Sequence, residues 1–141
     1  MWKVDGENLR NTNIGGIVIG SGIERTPAGY KLYVAEGVLT EKVKVAVKST
    51  DEWSDKVFAS DYKLWSLPDL ERYIHKNHHL PGVPSAGEVV EKGINLGQMD
   101  AQLLEKVEEL TLYVIALKKE NEAIRKQVAK LKNQRVRKAS H

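Results

Sequence analysis

Toward the C-terminus, Leu103, Val107, Leu110, Val114, Leu117, Asn121, Ile124, Val128 and Leu131 recur at alternating intervals of four and three residues. Sustained over about four heptads, that rhythm is the seam of a coiled coil, with Val and Asn121 at a and Leu and Ile124 at d. A helix of roughly 35 to 40 residues is about 55 to 60 Å long at 1.5 Å per residue. Nothing else in so short a chain can cover a stripe of that length, so other copies of the same helix are expected to do so. Glu120 at g and Arg125 at the following e form the one clear attractive interchain pair of a parallel arrangement. The pattern predicts a coil over 96–135, followed by a basic disordered tail at 136–141.

The first 48 residues follow another period. Val43, Val45 and Val47 alternate with Lys42, Lys44 and Ala46, and Leu32 and Val34 repeat the alternation of a strand with one dry face. Gly15, Gly16, Gly20, Gly22, Pro27 and Gly29 punctuate the zone as turns or close backbone approaches. These strands are too few to close a sandwich alone. Residues 49–95 predict a small α/β module. Trp53, Phe58, Tyr62 and Trp65, interleaved with Asp51, Asp55 and Asp61, are its expected core together with Leu70 and Ile74. Ser66 to Asp69 reads as a capped helix start with Pro68 in the first turn, and Leu67, Leu70, Tyr73 and Ile74 follow at helical spacing. That helix is predicted to stop near Asn77, ahead of a rigid turn at Leu80 to Pro84. Ser85 and Glu88 form a second capping box, opening a short helix that Gly93 closes.

Composition narrows the function classes. A chain of 141 residues holds one ordinary domain or two small modules, not an enzyme built on a large sheet. Aromatics at 6% imply a thin core that needs a partner chain. The absence of cysteine removes disulfide scaffolds, thiolate zinc sites and cysteine nucleophiles together. From Lys118 onward nine Lys or Arg stand against two acids, so this stretch carries +7 and the rest −4 of an overall +3. The pI near 9.0 is therefore a property of the tail. No apolar run reaches the ~18 residues of a membrane span, and Met1 to Asp5 lacks a signal-peptide core. The chain is expected to be made in the cytoplasm and to leave by another route.

Four patterns raise chemistry and each has a plainer reading. Gly15 to Ser21 has the two glycines of a phosphate loop, but Ser21 stands where Lys is required and no helix follows. His75 and His79 share a helix face beside His78, yet no Glu sits between them in the zincin manner, so a polar helix end is expected and no metal site. Ser49, Ser54, Ser60 and Ser66 lie near Lys48, Lys56 and Lys63 without a Gly-flanked nucleophile turn. The basic stretch follows its zipper, whereas in leucine-zipper transcription factors it precedes it, so a solvated helix end is expected and no nucleic-acid partner.

Several stretches resemble the C-terminal region of bacterial and phage tail-fibre or fibrous adhesin proteins. Trp2, Gly6 and Asn8 to Gly20 are similar to the strand units of fibre shafts, as is Tyr30 to Gly37. The likeness continues through Trp53 to Phe58, Asp61 to Leu64, the HLPGVPS stretch at 79–85, the GINLGQM stretch at 93–99, and Leu103 to Leu117. The resemblance implies a homotrimeric fibre end: intertwined strands, a small α/β module and a terminal three-helix coil. It places the module like the intramolecular chaperone domains of phage tailspikes, some of which cut themselves off at a serine junction not matched here.

The resulting expectation is an α+β fibrous chain with strands at 1–48, a module at 49–95 and a parallel coil. Its expected role is structural and in attachment, without a cofactor or catalytic residues, on a virion, injection machine or bacterial surface. The implied partners are further copies, fibre or baseplate proteins and a possible cell-surface receptor. Val at a, Leu at d and one Asn at a favour two strands; the resemblance implies three, which wrapped strands would also enforce. Two other readings are an autoproteolytic chaperone domain and a coiled-coil nucleic-acid-binding protein.

Overall fold

A computed structural model describes residues 1–46, 49, 53 and 55–139. The chain divides into two compact units, Met1–Lys44 and Val45–His141. The first unit holds two small sheets. Strands β1 (Trp2–Asp5) and β2 (Asn8–Asn11) pair antiparallel, Trp2 opposite Asn11 and Asp5 opposite Asn8. Gly6, at φ +63°, opens the two-residue loop between them, where a positive φ matches the strand twist. Strands β3 (Ile17–Ile19) and β4 (Leu32–Val34) pair in parallel, Ile17 opposite Leu32 and Ile19 opposite Val34.

The crossover between β3 and β4 is pinned by Tyr33, whose hydroxyl donates to the Pro27 carbonyl at 2.7 Å. Gly16 is required by close approach, because a Cβ there would lie 2.5 Å from the Tyr33 ring and 3.1 Å from the Lys31 carbonyl. Ile17 to Ile19 being strand, the glycine-flanked stretch at 15–20 leads into a sheet and forms no phosphate loop. No residue of this unit is buried, and Ile14 and Leu39 are fully open to solvent. Val43 and Val45 lie outside any strand, contrary to their alternation, and Val47 lies outside the described residues. A strand is stable only against a partner, and among the described residues neither sheet includes them.

In the second unit a 3-10 turn at Lys56–Phe58 precedes α1 (Leu67–Asn77), α2 (Ala86–Lys92) and α3 (Leu96–Ala139). Helix α1 starts where Ser66 Oγ accepts the Asp69 N–H and Pro68 occupies the first turn, and ends on His78 in the left-handed region at φ 58°. Helix α2 carries the full capping box: Ser85 Oγ accepts the Glu88 N–H, and Glu88 accepts the Ser85 N–H at 2.8 Å. Asn95 Oδ1 accepts the Gln98 N–H at 3.1 Å and so opens α3. With 44 residues, α3 is about 66 Å long.

The module's centre differs from the expected aromatic core. Among the described residues Val57, 2% exposed, is the one buried hydrophobic side chain, held where the 3-10 turn meets α3. Tyr62 and Leu70 are half-buried, while Trp53, Phe58, Trp65 and Ile74 are exposed, Phe58 at 58%. Trp65 meets Tyr73 edge to face at 5.4 Å, and Tyr73 meets His79 the same way at 5.7 Å. A segment of this length encloses few side chains on its own, so its rings line a surface in the single chain.

Candidate oligomer interface and the face opposite it

Helix α3 carries two faces of opposite character. Its f, b and c positions Glu105, Glu108 and Glu109, with Lys106 and Tyr113 at g, are covered by residues 55–65 of the same chain. Glu108 and Glu109 are only 6% and 9% exposed. Lys56 Nζ reaches Glu105 at 2.7 Å, and Lys106 Nζ bridges Glu105 at 3.2 Å and Glu109 at 2.8 Å. The Tyr62 hydroxyl donates to Glu109, the Asp55 N–H donates to Glu108 at 3.3 Å, and the Tyr113 hydroxyl donates to the Trp65 carbonyl at 2.7 Å. Each half-buried charge thus has a partner, which is the condition for burying it.

The electrostatics follow from that pairing. Burial opposes the charged form of Glu105, but hydrogen bonds from Lys56 and Lys106 outweigh it and hold its carboxyl below the usual range. Burial likewise opposes the charge on Lys106, and its bonds to Glu109 and Glu105 raise its pKa instead. Burial, and then the hydrogen bond to Glu109, push the Tyr62 phenol well above its ordinary value.

The opposite face is apolar and bare. Leu103, Val107, Leu110, Val114, Leu117, Ile124, Val128 and Leu131 are all exposed in the single chain, Leu110 at 61%. Asn121 interrupts them, its side-chain amide donating to the Leu117 carbonyl at 3.0 Å. Glu120 and Arg125 flank the stripe and are exposed. The a and d residues therefore form one continuous stripe, and the module occupies the other side of the helix.

Sequence reasoning singled out the stripe but not the ion cluster, because charged f, b and c positions are what any solvated helix back displays. The available signal was Leu112 and Tyr113, at f and g, apolar residues outside a and d that mark a second contact face. The other candidates have local roles. Ser66 caps α1, His78 ends it, and His79 meets Tyr73 edge to face; Lys48 and Ser54 lie outside the described residues. Among the described residues no group of three His, Asp or Glu is placed to hold a metal, and no helix is long and apolar enough to cross a membrane. No protein-family model, curated protein or solved structure matches the chain.

Proposed function

We propose that this chain is the trimeric C-terminal end of a phage-like tail fibre, injection-machine fibre or surface adhesin, with α3 as its trimerising and chaperoning element. One observation carries the reading: the a/d stripe of α3 lies uncovered along its length while the module occupies the opposite face. A helix that turns its apolar side to water and its charged side to its own chain is built to meet like helices. Residues 1–44 support the same reading, since two-stranded sheets with no buried residue are marginal alone. Three chains wrapped together would give those apolar strands a shared core. The choice of three over two rests on the likeness to fibre ends and on this need for wrapping.

Strand pairing between chains is slow, because its contacts are non-local, whereas α3 forms from local contacts. The coil therefore brings the chains into register first and the strands follow. Deleting residues 99–141 tests this: the product should be monomeric or aggregated, and an unrelated trimeric coiled coil grafted in their place should restore soluble trimers. A truncated chain that still forms a stable trimer at micromolar concentration would overturn the role of α3.

A further inference from the structure

Helix α1 is amphipathic, yet none of its residues is buried. Leu67, Leu70 and Ile74 form its apolar stripe, Leu67 and Ile74 being exposed, and among the described residues they line with Glu71 and His75 a shallow cavity formed by α1 alone. Where α1 lies relative to α3 indicates what covers it. At its start, Trp65 accepts the Tyr113 hydroxyl. Just past its end, His79 lines a groove together with Met99 and Gln102. Eleven residues of α1 rise about 16 Å, as do the residues from 102 to 113. The segment is thus tied to Tyr113 before α1 and lies near Met99 and Gln102 after it, so α1 runs antiparallel to α3 on the side of these g and c positions.

In a parallel coil the g edge of one helix faces the e edge of the next. The e positions of α3 change character where the module ends: Gly97, Leu104 and Thr111 are uncharged, Gly97 being buried and Leu104 half-buried in their own chain, whereas Lys118, Arg125 and Lys132 are cationic. Thr111 is exposed, and its hydroxyl already bonds to the Val107 carbonyl at 2.8 Å, leaving its methyl group for a partner. The heights agree, since Leu67 lies near the level of residue 111 and Ile74 near that of residue 104.

We propose that the apolar stripe of α1 docks on the adjacent copy of this chain, over Leu104 and Thr111 of its α3, so that each module is clamped between two helices. This rests on the parallel-coil reading above. Burial of Leu67, Leu70 and Ile74 would then be completed by assembly, and the modules would form an interlocked collar around the upper coil.

The absence of native cysteine makes the test direct. Full-length chains carrying Ile74→Cys and Leu104→Cys are co-expressed and oxidised, with Ile74→Cys plus Lys119→Cys as the mispositioned control and Val128→Cys alone as a reporter of the coil. The expected result is a covalent dimer from the 74/104 pair and from Val128→Cys, and little from the control. A Val128→Cys dimer with no excess of 74/104 over the control would overturn the docking while the coil stands. If Val128→Cys fails to cross-link, the parallel-coil reading itself falls. In an otherwise native chain, Thr111→Glu should leave the oligomer mass unchanged but speed amide exchange across residues 67–77; unchanged exchange would contradict the clamp.

Discussion

Between residues 103 and 113, one side of α3 is charged and covered and the other is apolar and bare. In a helix serving only its own chain the two would be reversed, since burying apolar area stabilises by roughly 25 cal/mol per Å² and burying charge costs unless every group is paired. Here the chain joins its own module through paired charges and leaves the apolar stripe uncovered. Specific polar contacts can hold a small module in one orientation, while in the proposed coil the larger apolar gain would drive assembly. The two attachments should therefore fail separately.

Placing a charge on the apolar side should have the largest effect. Leu110→Asp puts one carboxylate per chain into the middle of the proposed coil, each costing several kcal/mol when unpaired. The variant should be monomeric or insoluble, as read by ultracentrifugation. Breaking the polar side should be milder. Lys106→Met removes the cation between Glu105 and Glu109 and should loosen the module by about 2 to 3 kcal/mol. Amide exchange over residues 55–65 should rise while the oligomer persists.

Acid offers the same separation without mutation. Asp69, Glu88 and Glu105 have lowered pKa values, Asp69 chiefly through its bond with Ser66, Glu88 through the Ser85 N–H, and Glu105 because bonds from Lys56 and Lys106 outweigh its burial. Such groups stabilise the fold above their unfolded pKa, about 4. That contribution is lost as pH falls through their lower folded values. All three lie in the module or against it, so acidification from pH 5 to 2 should increase exchange in 55–92 before the oligomer mass falls. The reverse order would mean that the module, not the stripe, holds the copies together. The smallest effect is expected from Ser85→Ala, which removes the α2 cap at a cost of about 1 kcal/mol. It should shift thermal melting slightly and leave assembly intact.

The same contrast explains what was legible in the sequence. Heptad spacing, capping boxes and the helix-ending turn are local signals, and α1, α2 and α3 begin at Ser66, Ser85 and Asn95 for reasons readable from a few neighbouring residues. The ion cluster joins Lys56 and Tyr62 to residues some fifty positions away, and no local period announces such a contact. The aromatic cluster misled in a different way: Trp53, Phe58, Trp65 and Ile74 read as core by type, yet a single copy has too little chain to enclose them. Apolar residues left exposed in the single chain are those that the proposed assembly would cover.

The central claim is that the stripe is closed by two further copies. Multi-angle light scattering of the full-length chain, across micromolar concentrations and in moderate salt, addresses it most directly. Three chains of 15.8 kDa predict about 47 kDa, unchanged on dilution. A mass near 32 kDa would restore the two-stranded coil that Val at a and Leu at d favour, and a stable mass of 15.8 kDa would contradict the account altogether.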